Sequence, residues 1–237
     1  MGNKLAEELF ARGIALPVAA VPVFERYYEL LISANEKFNL TSITERSEVF
    51  MKHFLDSLQL LTWRKRLTGS LLDVGSGAGL PGFPLKIVCP ELSLTLLDSS
   101  RKRVAFLQET AQELGLEQVV ALHGRAEDFG RNQAYRERFP LVISRAVARL
   151  SVLCELCLPF VEPGGYFVAY KGPDGTAELV AAQTALKELG GRHELTLPYL
   201  LPQNMGQRLL ILIKKEEATP IKYPRKAGIP EKRPLNG

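Results

Sequence analysis

An aspartate and four closely spaced glycines form the stretch whose residue types and spacing most clearly indicate a chemical role. The run over residues 71–82 reads LLDVGSGAGLPG, with one acid before the glycines. Glycine lacks a Cβ atom, so it adopts positive φ angles and lets a ligand lie against the backbone. A buried strand, a glycine turn and a helix start together are typical of a nucleotide-type cofactor site. The candidate cofactor-binding residues in this stretch are Asp73, Gly75, Gly77 and Gly79.

Acidic residues follow the next two predicted strands. Asp98 ends the second strand about twenty residues after the glycines, where a carboxylate would bind a ribose diol. Its alternative role is to cap the following helix, which Ser99 or Ser100 could also do. Ala126 and Glu127 follow the third strand, where a backbone N–H and a carboxylate would meet the edge of an adenine. For Glu127 the alternative is a stabilising acid in the first turn of a helix.

The glycine spacing fits two cofactors, a dinucleotide and S-adenosylmethionine. Gly77-x-Gly79-x-x-Gly82 matches the dinucleotide fingerprint. Asp73 would repel a pyrophosphate, but it would not repel the ammonium group of S-adenosylmethionine. The last two predicted strands have no helix between them, which also favours a methyltransferase. The sequence therefore predicts S-adenosylmethionine as the cofactor, and a nicotinamide-dependent oxidoreductase is the alternative.

The elements that would position these residues alternate between strands and helices after an all-helical start. Strands are predicted at Leu71–Val74, Leu94–Leu97, Val119–His123, Leu141–Ile143, Gly165–Tyr170, His193–Leu197 and Arg208–Ile213. Helices are predicted at Leu80–Val88, Arg101–Leu114, Leu150–Phe160 and Ala177–Leu189. This alternation indicates a mostly parallel sheet with helices on both faces and one antiparallel strand at the end. We expect an α/β, Rossmann-like fold with seven strands over residues 70–213, an N-terminal helical subdomain at 1–69 and a tail at 214–237.

Positive charge is concentrated at the end of this 237-residue chain. Residues 214–237 hold seven Lys and Arg against three Glu, which accounts for the whole net charge of +4. A basic tail on a neutral body suggests a polyanionic partner, and the alternative is a solvated, disordered end. The apolar runs are too short to span a membrane, and the N-terminus carries acids rather than a secretory signal. We therefore expect a cytoplasmic protein with no membrane partner.

The cysteines indicate neither a disulfide framework nor a metal centre. Cys154-x-x-Cys157 has no second Cys or His pair at zinc spacing, so no metal site is expected and both thiols are predicted to be buried. Cys89 lies at a predicted helix end, remote from the strand tips. Methylation at C5 of a pyrimidine needs a thiolate nucleophile. No cysteine is therefore placed for that reaction.

The residues after the fourth predicted strand do not favour methylation of an exocyclic amine. An exocyclic amine of adenine is usually methylated beside Asn/Asp-Pro-Pro-aromatic, whereas this chain has SRAV at 144–147. Methylation of a ring nitrogen such as N7 of guanine needs neither this motif nor a thiolate, because the lone pair of the nitrogen is available and no proton leaves. His53 and Asp56 could form an acid–base pair, but this chemistry gives a base no proton to remove. His53 is thus interpreted as structural or RNA-facing.

Seven motifs distributed along the chain carry a family resemblance. They are Asn39-Leu40-Thr41, His53-Phe54-x-Asp56-Ser57, the run 72–82, Arg125-Ala126-Glu127-Asp128, residues 144–148, Tyr170-Lys171-Gly172 and residues 223–228. The chain resembles the bacterial small-subunit ribosomal RNA guanine-N7 methyltransferases, the glucose-inhibited division protein B family. The resemblance implies S-adenosylmethionine-dependent methylation of one guanine in a 16S rRNA loop, with 16S rRNA or the small ribosomal subunit as the partner. The protein is expected to be a monomer. A methyltransferase acting on another RNA, a protein or a small molecule is the alternative.

The resemblance also implies roles for individual residues. Cofactor-binding roles fall on Gly75 and Leu80 near the methionine and sulfonium, on Asp98, Ser99 and Ser100 near the ribose, and on Ala126 and Glu127 near the adenine. The candidate catalytic residues are Arg145 and Lys171, which end the fourth and fifth strands. Arg145 is expected to contact both cofactor and substrate. Lys171 is expected to meet an rRNA phosphate or base.

Overall fold

The computed structural model describes residues 1–145 and 148–235. Its helices are α1 Gly2–Phe10, α2 Ala20–Phe38, α3 Arg46–Glu48, α4 Asp56–Leu58, α5 Leu60–Trp63, α6 Gly82–Val88, α7 Arg101–Glu113, α8 Ala126–Phe129, α9 Leu150–Cys157, α10 Gly175–Ala181, α11 Gln183–Glu188 and α12 Ile229–Lys232. A π-helical segment, Val49–Leu55, joins α3 to α4, and a 3-10 turn, Leu158–Phe160, follows α9. The strands are β1 Gly69–Val74, β2 Leu92–Asp98, β3 Val119–His123, β4 Phe139–Arg145, β5 Val161–Lys171, β6 Gly191–Leu200 and β7 Gln207–Lys215.

The strands of the described chain form one sheet in the order β3-β2-β1-β4-β5-β7-β6. Strands β1 to β5 are parallel, and β7 runs antiparallel to both of its neighbours, β5 and β6. The predicted α/β, Rossmann-like fold is therefore confirmed, including its one antiparallel strand. The strand order reverses between β1 and β4. In open α/β sheets such a switch point opens a crevice at the carboxyl ends of the strands, where ligands bind.

The predicted elements differ from the structure mainly at their ends. Six observed strands extend beyond the predicted bounds, whereas Val119–His123 is unchanged. Helix α6 begins at Gly82 rather than Leu80, because the N–H groups of Gly79 and Leu80 both donate to Ser76 O and continue the turn. The helix predicted at Ala177–Leu189 is two helices that meet at Ala182. The apolar pattern runs through that junction and gives no signal of the break.

Alternate residues of the sheet enter two apolar cores. Leu71 and Ile143 lie in one cluster with Leu5, Phe24 and Phe54 from the N-terminal helices. The other face of the sheet packs against α9, α10 and α11. Side chains alternate across a strand, so one sheet supplies both cores. The division into residues 1–69, 70–213 and 214–237 stays a prediction, although the N-terminal helices share a core with the sheet.

Aromatic side chains fasten the N-terminal helices to the glycine turn. The ring of Phe54 lies 5.1 Å from that of Phe24, 5.1 Å from that of Tyr27 and 5.0 Å from that of Phe50. Tyr27 also packs edge-on against Phe83 of α6. The Tyr27 hydroxyl donates a hydrogen bond of 2.6 Å to the carbonyl oxygen of Ala78, inside the turn. The N-terminal helices thus hold the backbone of the turn in place.

Residues 219–228 are docked on the body of the protein rather than solvated. The Arg136 guanidinium donates to the carbonyl oxygens of Thr219 and Tyr223 at 2.6 and 2.8 Å. Nε of Arg131 donates to Pro224 O at 2.7 Å. Tyr223 and Pro224 are buried. The solvated, disordered end considered as the alternative for this segment is therefore wrong.

Over residues 1–145 and 148–235, no helix is long and apolar enough to cross a membrane.

Replacing Phe54 should test whether the N-terminal helices and the sheet unfold together. Phe54 is fully buried, so Phe54→Ala is expected to lower the free energy of unfolding by about 3–5 kcal/mol. Urea unfolding would measure this loss, with the exposed Val18→Ala, expected within about 0.5 kcal/mol of wild type, as control. A separate sheet transition with an unchanged midpoint would contradict the shared core.

Candidate active site

A cavity of about 380 Å³ opens where β1, β2, β3 and β4 end. Pockets that bind small ligands typically have volumes of about 300–1,000 Å³. The lining consists of Leu40, Thr41, His53, Val74, Gly75, Ser76, Gly77, Ala78, Leu80, Leu97, Asp98, Ser99, Arg103, Gly124, Arg125, Ala126, Glu127, Arg145 and Leu156. Eight of the predicted site residues are among them. The cavity therefore lies at the switch point of the sheet.

The glycine turn forms the floor of the cavity. Gly75, Gly77 and Gly79 have φ angles of +74°, +58° and +90°, which a residue with a Cβ atom rarely adopts. A Cβ atom built on Gly77 would meet only Gly75 O, at 3.9 Å. Since Gly77 lines the cavity, that atom would occupy cavity space. The turn therefore presents bare backbone to a ligand.

Asp98 connects the glycine turn to the loop after β2. Its Oδ2 accepts a hydrogen bond from Gly77 N, and its Oδ1 accepts one from Ser100 N, each at 2.9 Å. Ser100 is the N-terminal cap residue of α7. Asp98 thus supports the start of that helix and also lines the cavity beside Ser99. Its position is compatible with both roles considered for it, ribose binding and capping of the following helix.

Asp73 lies beneath the turn, outside the cavity lining. It points to the sheet face that α6 covers, where its Oδ2 accepts a hydrogen bond of 3.0 Å from Gly82 N. Its Oδ1 is buried and has no hydrogen-bonding partner within residues 1–145 and 148–235. Burial raises the pKa of this carboxyl group to about 7, although the Gly82 N–H bond and the Arg145 charge oppose the shift. Asp73 holds the start of α6 against β1.

Arg145 connects the end of β4 to the π-helical segment. Its guanidinium forms an ion pair of 2.8 Å with Asp56 Oδ2 and donates to Lys52 O at 3.2 Å. The other carboxylate oxygen of Asp56 accepts a hydrogen bond of 2.7 Å from the Tyr199 hydroxyl. His53 and Asp56, considered and rejected above as an acid–base pair, each contact Arg145. This network fixes the guanidinium at the cavity wall.

His53 is held in its neutral form. Burial, followed by the nearby positive charge of Arg145, lowers its pKa to about 3. Its Nε2 lies 2.9 Å from the Thr41 hydroxyl, which accepts from Ile43 N. Both residues line the cavity. Asn39-Leu40-Thr41 and His53-Phe54-x-Asp56-Ser57, two of the sequence motifs, therefore meet at one wall.

Ala126 and Glu127 form the part of the wall that directly follows the end of β3. Both are in the first turn of α8 and line the cavity. Oε1 of Glu127 accepts a hydrogen bond of 2.9 Å from Gly228 N, in the docked C-terminal segment. The adenine contact predicted for this pair stays a prediction.

Four predicted residues lie outside the cavity lining: Asp73, Gly79, Ser100 and Lys171. The ammonium group of Lys171 is largely buried, pairs with Glu178 at 2.6 Å and donates to Ala148 O at 2.9 Å. Glu178 also accepts from Leu150 N, so the pair anchors the loop after β4. The RNA contact of Lys171 stays a prediction. Ala146 and Val147, in the fourth-strand motif, lie outside the described residues.

Several lining residues were missed by sequence reasoning. Arg125 and Thr41 belong to motifs that carry the family resemblance, which could have identified them. Arg103 and Leu156 have no distinguishing sequence signal, because each is one residue of an ordinary helix. Cys154 and Cys157 are buried in α9 as predicted, and burial raises the pKa of both thiols.

The sheet order, the single antiparallel strand and the cavity at the glycine turn define the Rossmann-like fold of class I S-adenosylmethionine-dependent methyltransferases. A family model described as GidB, rRNA small subunit methyltransferase G, matches residues 21–203. The chain belongs to this family and is a methyltransferase.

Relatives from several bacteria match nearly the whole chain. The "Ribosomal RNA small subunit methyltransferase G" of Brevibacillus brevis is 48% identical over 234 residues, covering 98% of each chain. The protein of the same name from Lactobacillus acidophilus is 50% identical over 220 residues, covering 90% of each chain.

Solved structures support the fold alone. The crystal structure of a mutant of MtNAS matches with a TM-score of 0.55 and 16% identity, over 82% of this chain and 75% of that one. TrmN from Thermus thermophilus matches with a TM-score of 0.50 and 17% identity, over 70% of this chain and 53% of that one.

Asp73 should make stability depend on pH. Its pKa is about 7 in the folded protein and near 4 in the unfolded chain, so between these values only the folded state keeps the proton. Stability therefore falls as pH rises through this window. Asp73→Asn removes this titration. The difference in the free energy of unfolding, variant minus wild type, should therefore increase by about 3 kcal/mol from pH 5 to pH 8. Urea unfolding at both pH values checks this, with exposed Asp128→Asn as control. A pH-independent difference would contradict the expectation.

The Arg145–Asp56 pair should show strong coupling. Arg145→Met leaves a buried carboxylate without its cation, and is expected to lower the free energy of unfolding by about 3–5 kcal/mol. Adding Asp56→Asn should recover part of this loss, because the unpaired charge is removed. Urea unfolding of the single and double variants gives the coupling energy, and exposed Arg101→Met serves as control. Additive losses would argue against the pair.

Proposed function

We propose that this protein transfers a methyl group from S-adenosylmethionine to N7 of a guanine in 16S rRNA. The observation that carries the proposal is the placement of the glycine turn, Asp98, the Ala126–Glu127 pair and Arg145 around one cavity. Membership of the GidB family and the printed names of the relatives support the rRNA substrate. A cytoplasmic enzyme acting on the small ribosomal subunit, or on its rRNA, is consistent with both.

The residues around the cavity fit the proposed cofactor. Bare backbone at Gly75 and Gly77 leaves space for the methionine portion, with Leu80 beside it. Asp98 and Ser99 would bind the ribose hydroxyls, and Ala126 and Glu127 would bind the adenine, because all four line the same cavity. Asp73, Gly79 and Ser100 contribute by shaping the two loops, since they hold or form backbone next to the lining. Bound S-adenosylmethionine supplies an electrophilic methyl group on a sulfonium.

The surrounding side chains suit a nucleophile that needs no base. N7 of guanine has a free lone pair, so it attacks the methyl carbon while the carbon–sulfur bond breaks, and no proton leaves. His53, neutral because its pKa is about 3, adds no positive charge to the wall. Arg145 is held by Asp56 at the cavity lining, where it would contact the base or the cofactor. Catalysis then depends chiefly on alignment.

Cationic side chains at the cavity mouth suit an RNA backbone. Arg103 and Arg125 are exposed and both line the cavity. Arginines in such positions would pair with phosphates beside a base presented from a loop. Lys171 would contribute by fixing the loop after β4 through Ala148 and Glu178.

Removing the proposed nucleophile should abolish the reaction. We expect 16S rRNA transcribed with 7-deazaguanine to accept no label from methyl-labelled S-adenosylmethionine, because a carbon atom replaces N7. Unmodified transcript, alone and in reconstituted small subunits, should be labelled at one guanine, located by cleavage at 7-methylguanine. Label on the 7-deaza transcript, on protein or on a small molecule would contradict the proposal.

Binding of the cofactor can be measured independently of RNA methylation. Asp98→Asn loses the anionic acceptor and should weaken binding of S-adenosylhomocysteine about tenfold, as calorimetry would show. The alternative oxidoreductase would instead be stabilised by NAD in a thermal-shift assay.

A further inference from the structure

The segment 219–228, called the strap below, crosses the outside of α8 and α9 and is fastened at several points. Besides Arg131 and Arg136, it is held by its own Arg225, whose Nη2 and Nε lie 2.5 and 3.1 Å from Glu155 Oε2. The backbone N–H of Arg225 also donates to Glu155 at 2.8 Å. The Glu155 side chain is only 1% exposed, so this ion pair is shielded from solvent. Paired charges in such a site resist separation.

Close packing at Gly130 shows that the strap has a defined seat. A Cβ atom on Gly130 would lie 3.1 Å from Pro224 Cγ and 3.1 Å from Ala126 O. The ring of Pro224 therefore lies directly against the end of α8. The hydroxyl of Tyr223 donates to Glu188 of α11. The strap thus contacts the helix that contributes Ala126 and Glu127 to the cavity.

The strap reaches the cavity wall at two places. Gly228 N donates to Glu127 Oε1 at 2.9 Å, and Gly228 has a left-handed φ of +80° that aims this N–H. Glu155, which binds Arg225, precedes the lining residue Leu156. Within residues 1–145 and 148–235, Glu127 Oε2 has no hydrogen-bonding partner in the protein. One carboxylate oxygen is therefore held by the strap, and the other is left without a protein partner on a residue that lines the cavity.

We propose that the strap is a positioning element for the adenine subsite, with the Gly228 N–H fixing the Glu127 carboxylate so that Oε2 accepts from the 6-amino group of the cofactor. This inference rests on the proposed function, because it takes Glu127 as an adenine contact. A carboxylate fixed before binding loses less rotamer entropy when the ligand arrives. Binding of the adenosine moiety and docking of the strap are then thermodynamically coupled.

Two substitutions at Gly228, combined with a ligand that lacks the 6-amino group, test whether the strap positions the Glu127 carboxylate. Gly228→Pro removes the N–H and, because its ring holds φ at about −65°, also the left-handed φ, whereas Gly228→Asn keeps the N–H and tolerates a left-handed φ. Space is available, since a Cβ atom on Gly228 would meet no atom within 4 Å. Calorimetry with the full-length chain should show S-adenosylhomocysteine binding about tenfold weaker in the proline variant and within about twofold of wild type in the asparagine variant. The analogue that lacks the 6-amino group should bind the wild-type and proline proteins equally.

Hydrogen exchange provides a readout that needs no variant. In the wild-type protein, S-adenosylhomocysteine should slow amide exchange over the strap, because coupling acts in both directions. Equal affinity of the wild-type and proline proteins for S-adenosylhomocysteine, or an equal loss for both ligands, would overturn the inference, as would strap exchange that the ligand leaves unchanged. If the wild-type protein binds no S-adenosylhomocysteine, the proposed function itself fails and the inference fails with it. The other three results would leave the proposed function intact.

Discussion

The conformation of the glycine turn between β1 and α6 is the constraint on which the rest of the site depends. Its positive φ angles bring bare backbone to the cavity, and groups from three directions hold it there. The Tyr27 hydroxyl binds Ala78 O from the N-terminal helices, Asp98 binds Gly77 N from β2, and Asp73 binds Gly82 N from below. A turn of glycines has high conformational entropy when free, so these contacts are needed to keep one conformation.

The N-terminal helices and the C-terminal strap fix side chains of the site that the sheet alone does not hold. The sheet places residues at the carboxyl ends of its strands, but it does not fix the long side chains there. The π-helical segment supplies Lys52 O and leads into α4, whose Asp56 is the anion that holds Arg145, and the strap supplies the N–H that holds Glu127. Each wall of the cavity is therefore a joint product of the sheet and one end of the chain.

Charge in the C-terminal segment illustrates a limit of composition. Seven Lys and Arg residues suggest a polyanionic partner, yet Lys215 is buried with Glu137 and Arg225 pairs with Glu155. Burial lowers the pKa of Lys215 to about 8, while its carboxylate partner opposes the shift. A count of charges cannot separate residues that bind a partner from residues that stabilise the fold, because Lys and Arg serve in both roles.

Local signals in the sequence were sufficient for the fold class, the seven strands, the glycine turn and the positions of Asp98, Ala126, Glu127 and Arg145. These follow from periodicity, glycine chemistry and the rule that parallel strands end at one edge. Tertiary structure alone decided that Asp73 faces α6, that Lys171 pairs with Glu178, and that Asp56 meets both Arg145 and Tyr199. The reason is physical: Asp56 meets a hydroxyl 143 residues away, and Asp73 and Lys171 bond to residues on the helices that follow their strands, where the packing of helix on sheet decides which groups meet.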